Sequence, residues 1–104
     1  MKLFCVKQLK TQFLFELKYK KHYSNYTILE YHRDINQFFK FLPKIDISLS
    51  QCRQFIYALK PQNYSPRTIS RKISSLQSFW SYLNKNQYCQ TNPWSLLKRP
   101  RVPQ

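Results

Sequence analysis

The sequence predicts an all-α protein in which four helices surround one hydrophobic core. Apolar residues recur three and four positions apart in four separate stretches, which is the spacing of one face of an α-helix. Serine residues that suit a helix N-cap precede three of these stretches. A chain of 104 residues is long enough for one domain. We therefore expect a single helical bundle.

Three helices are predicted before residue 64. The first covers residues 7–21. The second begins at the cap Ser24 and ends before Pro43, because proline disfavours a helical conformation in the preceding residue. The third is short, follows a connector over residues 44–49 and is expected to begin at the cap Ser50. The residues predicted to face the core are Leu9, Phe13, Leu14, Leu17, Ile28, Tyr31, Ile35, Phe38, Leu42, Leu49, Cys52, Phe55, Ile56 and Leu59.

The fourth predicted helix, from Tyr64 to Leu83, organises the chain. Ser65 can cap it, and Pro66 suits the first helical position. Its apolar stripe is Ile69, Ile73, Leu76, Trp80 and Leu83. The side opposite the stripe is expected to carry Arg67, Ser70, Arg71, Lys72, Ser74, Ser75, Gln77 and Ser78. Small side chains permit a close approach to a bulky partner and cations suit phosphate, so this face is predicted to lie against DNA.

The charge of the chain also favours a polyanionic partner. Lys and Arg number 18 against 4 acidic residues, a formal net charge of +14. Nucleic acid is the commonest partner of such a chain, although a merely basic or ribosome-bound protein would share this composition. All the acids, Glu16, Glu30, Asp34 and Asp46, precede residue 47. All charged residues after position 46 are thus cations.

The second and fourth helices are predicted to begin alike. Ser24 is followed by Thr27, and Ser65 by Thr68, at the same spacing. A helix N-terminus presents free N–H groups and a partial positive charge, so it can bind phosphate. Either start alone would be an ordinary cap, but two in so basic a chain favour contacts with the DNA backbone.

Other chemistry is not indicated. Cys5, Cys52 and Cys89 form no CxxC pair, and His22 and His32 are isolated, so neither a metal site nor a cofactor is expected. Reduced thiols suit an intracellular protein. No signal peptide, membrane span or small-molecule site is predicted. We expect a cytoplasmic, nucleoid-associated location, with an organellar one also open.

The end of the chain is predicted to be a linker. Trp94, Leu96 and Leu97 can pack a last helical turn, which places the domain at residues 1–97. Residues 98–104 alternate cations with proline and read as an extended basic segment. Lys98, Arg99 and Arg101 are candidate DNA contacts in this segment. It is expected to lead towards a further domain that this chain lacks.

Four short motifs follow one another along the chain: the S-x-x-T-I helix starts, Tyr31-x-Arg33-Asp34, S-P-R-T-I-x-R, and a closing N-P-x-x-x-x-K-R-P. With them, residues 8–104 resemble the N-terminal core-binding domain of Xer-type tyrosine recombinases and phage integrases. The resemblance implies a four-helix SAM-like bundle of two helical hairpins. It also implies that this bundle forms half of a clamp around double-stranded DNA, with its second and fourth helices at the major groove.

The resemblance assigns DNA contacts to particular residues. The matching positions are Thr27, Arg33, Ser65, Arg67, Thr68, Arg71, Lys72 and Ser75, to which the cap analysis adds Ser24. We expect phosphate roles for Arg67, Thr68 and Thr27. Arg71 is expected to read a base edge, since arginine can bind guanine bidentately. Glu30 also matches a groove-facing position, where it either accepts from cytosine or points away.

In the resembled family the catalytic residues lie in a separate C-terminal domain. This chain is therefore expected to bind DNA without cutting it, alongside other recombinase protomers. Two alternatives stay open at this point. One is a stand-alone basic helical protein that binds nucleic acid, and the other is a helical module that binds a protein partner.

Overall fold

Four α-helices make up most of residues 5–97, the part of the chain that the computed structural model describes. They are α1 (Val6–Tyr19), α2 (Asn25–Phe41), α3 (Leu49–Ala58) and α4 (Pro66–Lys85). Two short 3-10 turns, Lys60–Gln62 and Pro93–Leu96, follow α3 and α4. Between residues 5 and 97 there is no β-strand, so the all-α prediction is confirmed. The predicted contacts Lys98, Arg99 and Arg101 lie outside the described residues.

The first hairpin is formed by α1 and α2. Near one end the Lys10 ammonium donates to the Asn36 side chain, and further along the Phe13 ring meets Tyr31 edge-on at 6.0 Å. Increasing residue numbers on α1 thus meet decreasing numbers on α2, which makes the pair antiparallel. The inward faces predicted for both helices are confirmed, because Leu9, Phe13, Leu17, Ile35 and Phe38 are buried.

The second pair of helices is joined through an aromatic cluster. Trp94, in the last 3-10 turn, is 1 % exposed, and its ring lies 6.2 Å from Phe55 of α3 and 6.0 Å from Trp80 of α4. Phe38 of α2 packs against all three of these rings. The predicted last turn is therefore part of the core, although Leu96 is exposed rather than packed.

The helix starts agree with the sequence at α2 and α4 and differ at α3. Ser24 and Ser65 are the N-caps of α2 and α4. The cap of α3 is Ser48 and not Ser50. The reason is a capping box, in which Ser48 accepts from the Gln51 N–H and the Gln51 side chain accepts from the Ser48 N–H. A cap at Ser50 would put Arg53, which cannot accept, at the reciprocal position.

The chain ends its helices without glycine. His22, Asn63 and Gln87 adopt left-handed backbone conformations, with φ of 57°, 56° and 64°. At the end of α4 this conformation lets the Tyr88 N–H reach the Leu83 carbonyl at 2.8 Å, which satisfies a terminal acceptor. The turn that ends α4 is thus fixed by a backbone hydrogen bond.

Candidate nucleic-acid interface

The buried face of α4 is wider than the sequence pattern suggested. Ile73, Leu76, Trp80 and Leu83 are fully buried and Ile69 is partly buried, which confirms the predicted stripe. Phe79 belongs to the same face and is also fully buried. The stripe therefore faces α1, α2 and the Trp94 cluster.

Lys72 and Ser75 were expected on the outer face of α4, and that placement is wrong. Their relative exposures are only 6 % and 3 %. Lys72 follows Ile69 by three residues and precedes Leu76 by four, so helical phase places it within the apolar stripe. A DNA contact through either side chain is not supported by this position.

Asp34 of α2 is the reason that these polar groups are buried. Its carboxylate is fully covered. It accepts from Lys72 Nζ at 3.0 Å and from Arg71 Nη2 at 3.1 Å on one oxygen, and from Ser75 Oγ at 2.8 Å on the other. The Lys72 ammonium also lies 4.8 Å from the centre of the Tyr64 ring. Burial of an ion pair needs such additional partners to offset lost hydration. This cluster fixes α2 against α4.

Arg71 extends from the same cluster to the surface. Its Nη1 lies 2.5 Å from Glu30 Oε2, while Nη2 contacts Asp34. The Arg71 side chain is 44 % exposed, whereas that of Glu30 is only 15 % exposed. Arg33, on the outer side of α2, lies 3.8 Å from the other Glu30 oxygen and is largely exposed. Glu30 thus contacts cations of this chain, and neither of its two predicted orientations describes this internal pairing.

A groove of about 290 Å³ lies between α2 and α4 beside Arg71. Its lining residues are Tyr26, Thr27, Glu30, Tyr31, Arg71, Ser74 and Ser75. The fold therefore brings together predicted site residues from both helices, namely Thr27 of α2 with Arg71 and Ser75 of α4. Burial raises the pKa of the Tyr31 phenol above its usual value, so this phenol is neutral at neutral pH.

The two helix starts have the same geometry. Ser24 Oγ accepts from the Thr27 N–H at 3.2 Å, and Ser65 Oγ accepts from the Thr68 N–H at 3.1 Å. In each case the serine hydroxyl also donates to the threonine hydroxyl at 3.0 Å. Such a cap uses the third helical N–H and leaves the first two for another acceptor, although Pro66 removes one of these at α4. Arg67, next along α4, is exposed.

Residues 5–97 contain no group of three or more His, Cys, Asp and Glu side chains able to hold a metal. None of the helices in this range is long and apolar enough to cross a membrane. The cysteines of this range are unpaired, and burial raises the pKa of the Cys52 thiol to about 12, which keeps this thiol protonated and unreactive.

The architecture and its capped, cationic helices agree with a known class of domain. The family described as "Phage integrase, N-terminal SAM-like domain" matches residues 11–87, and the chain belongs to this family. The predicted resemblance is confirmed.

Curated relatives point to one group within the class. The tyrosine recombinase XerC of Anoxybacillus flavithermus is 37 % identical over 98 residues, covering 88 % of this chain and 33 % of that protein. XerC of Halalkalibacterium halodurans is 33 % identical over 86 % of the chain and 31 % of its own length. XerC of Bacillus subtilis is 33 % identical over 92 % and 34 %. The chain thus spans about a third of the length of these relatives. No solved structure matches it.

Sequence reasoning missed Asp34 as the centre of the site. The signal was present, because Asp34 lies one turn after Glu30 and directly before the buried Ile35. An acid at the border of an apolar stripe needs a cation from another helix. Lys72, on the stripe of α4, is that cation. Its identity depends on how the helices pack, which neither helix specifies alone.

We expect Asp34→Ala to lower the free energy of unfolding by about 3–5 kcal/mol, because it leaves the Lys72 ammonium buried without its carboxylate. Urea-induced unfolding followed by circular dichroism measures this. The double variant Asp34→Leu/Lys72→Met removes both charges and should recover most of the loss. Equal destabilisation by the double and the single variant, or a loss below about 1 kcal/mol for Asp34→Ala, would contradict the pairing.

Proposed function

We propose that this chain is the DNA-binding, core-binding domain of a tyrosine site-specific recombinase or integrase. In this proposal α2 and α4 contact double-stranded DNA as one half of a clamp during recombination or integration. Family membership and the XerC relatives support the recombinase assignment. We expect other recombinase protomers on the same DNA, and a cytoplasmic location at the nucleoid.

One observation carries the DNA-binding part of the proposal. The acidic residues of α2 and α4 are Glu30 and Asp34, and both are already paired with cations of this chain. Their shared surface therefore presents Arg33 and Arg67 without an unpaired carboxylate to repel a phosphate, while Arg71 is paired with both acids. The net charge of +14 adds long-range attraction for a polyanion.

The N-termini of α2 and α4 are the best candidates for contacts with DNA phosphates. The exposed Arg67 side chain lies in the first turn of α4, next to the remaining N–H groups of that helix. A phosphate there would gain both a charged partner and the positive end of the helix dipole. Ser24 and Thr27 offer the same geometry without the arginine. Lys98, Arg99 and Arg101 stay predictions from the sequence.

The proposal assigns no catalytic group to this chain. A nucleophilic tyrosine is activated by neighbouring groups that favour its deprotonation. Burial instead raises the pKa of Tyr31 and Tyr82, which holds both phenols in the neutral form. Tyr64 accepts from Gln37 and donates to Gln62, and Lys72, beside its ring, is committed to Asp34.

Duplex DNA should bind with an affinity that falls steeply as salt rises, through counterion release. Arg67→Ala should weaken binding to all sequences alike and reduce the slope of log K against log [salt] by about 0.9, as for one lost phosphate contact. Fluorescence anisotropy of a labelled random-sequence duplex across a salt series measures both.

Two controls separate a contact from general charge. Arg53→Ala removes the same exposed side chain from α3, outside the proposed surface, and should change the slope less. Neutralising Lys18, Lys20 and Lys21 together should also weaken binding less than Arg67→Ala. A larger loss from the lysine triple would place the contact surface at the end of α1 and the turn that follows it. Salt-independent binding would contradict DNA binding as the function.

No covalent adduct should form between this chain and a nicked suicide substrate that carries a recombination site of a XerC relative. The expected result is a single free-protein band after denaturing electrophoresis, because the proposal assigns no catalytic group to this chain. Full-length recombinase from that relative is the positive control. An adduct abolished by replacing one tyrosine with phenylalanine would overturn the assignment.

A further inference from the structure

Arg71 differs from the other exposed cations of the proposed surface because two carboxylates already hold it. Glu30 lies 2.5 Å from Nη1, and Asp34 lies 3.1 Å from Nη2. Asp34 has no exposed side-chain surface and Glu30 has only 15 %. The guanidinium is thus held from α2 while the arginine belongs to α4, and its position is fixed by the packing of the two helices.

This arrangement changes what Arg71 can bind. A phosphate brought to this guanidinium would lie close to the Glu30 and Asp34 carboxylates, and their repulsion would cancel much of its attraction. A base edge carries no net charge, so it escapes this repulsion. The guanidinium has five N–H donors, and those not used by the two carboxylates are still available to acceptors such as guanine O6 and N7.

We propose that Glu30 is a specificity-determining residue, which neutralises and orients Arg71 so that this arginine discriminates between bases rather than strengthening phosphate binding. The inference rests on the proposed DNA-binding function and deepens it. Glu30 acts through Arg71 as a positioning residue. We do not assign it the reading of cytosine, because Arg71 holds one of its oxygens and its side chain is only 15 % exposed.

Arg33 and Asp34 complete the arrangement without sharing this role. Arg33 has a largely exposed side chain and only a long contact to Glu30, so it keeps its charge available to a phosphate. Asp34 also holds Lys72 and Ser75, so its replacement would disturb the packing of α2 on α4. Glu30 is therefore the position at which the charge of Arg71 can be released with the fold intact.

The test compares Glu30→Gln with the wild-type chain on two probes. One is a random-sequence duplex pool, and the other is the duplex that selection from that pool enriches with the wild-type chain. Glu16→Gln, on α1, is the matched control for the change in net charge. Thermal unfolding checks that each variant is folded, and Arg71→Ala provides the background for the double variant.

For Glu30→Gln we expect tighter binding to the random pool, with a salt slope steeper by about 0.9, because Arg71 regains one effective charge. Preference for the enriched duplex over the pool should fall about tenfold, the order of discrimination that one bidentate arginine supplies. In the Arg71→Ala background, Glu30→Gln should have no more effect than Glu16→Gln.

Three results would overturn the inference. One is a change in affinity for the two probes that equals the change caused by Glu16→Gln, since Glu30 would then act only through net charge. Another is a Glu30→Gln effect on preference that persists without Arg71, since Glu30 would then read the base itself. The third is a selection in which the wild-type chain enriches no sequence although it binds the pool. Failure of the wild-type chain to bind any duplex would instead overturn the proposed function, and this inference with it.

Discussion

The buried carboxylate of Asp34 is the interaction on which the rest of the site depends. It joins α2 to α4 through Lys72, Ser75 and Arg71, and together with the Glu30–Arg71 pair its hydrogen bonds form the polar part of a largely apolar contact. Apolar packing alone tolerates small shifts of one helix along another, whereas a carboxylate with several fixed donors does not. The hydrogen bonds of Asp34 therefore fix the position of α2 relative to α4 directly beneath the proposed DNA-binding surface. The groove beside Arg71 and the place of Thr27 on its wall follow from that position.

The same cluster determines the charge of the surface. Because Glu30 and Asp34 are consumed inside the α2–α4 pair, the exposed cations of these helices are not balanced by free acids. Their roles then divide by environment. Arg67 is exposed at the start of α4, where the helix dipole favours an anion, while Arg71 is fixed between carboxylates, where an anion is disfavoured. In the proposed function, these two arginines one turn apart on α4 would contact different parts of a DNA duplex.

Much of the fold could be predicted from the sequence because it depends on local rules. The helices follow from the spacing of apolar residues, and the caps Ser24 and Ser65 follow from side-chain chemistry. The prediction of Ser50 as a cap is wrong because the Gln51 side chain accepts from the Ser48 N–H and Ser48 Oγ accepts from the Gln51 N–H, which places the cap at Ser48. The burial of Lys72 was missed for a different reason. The helical phase of Lys72 puts it on the apolar stripe, but a lysine is expected in a core only if it has a buried partner. That partner is Asp34, on another helix. Partners on separate helices are a property of packing, so Arg71 could be chosen from the sequence while its pairing could not.

The most direct test of the central claim, that α2 and α4 together form the DNA-binding surface, is a nuclear magnetic resonance titration of the ¹⁵N-labelled chain with duplex DNA. The claim predicts that the largest amide shift changes occur at Tyr26, Thr27, Arg67 and Thr68, at the starts of the two helices, and next at Arg71 beside the groove. Amides on the outer side of α1, such as those of Phe15 and Lys18, should change little. Changes concentrated on α1 or α3, with the starts of α2 and α4 unaffected, would contradict it.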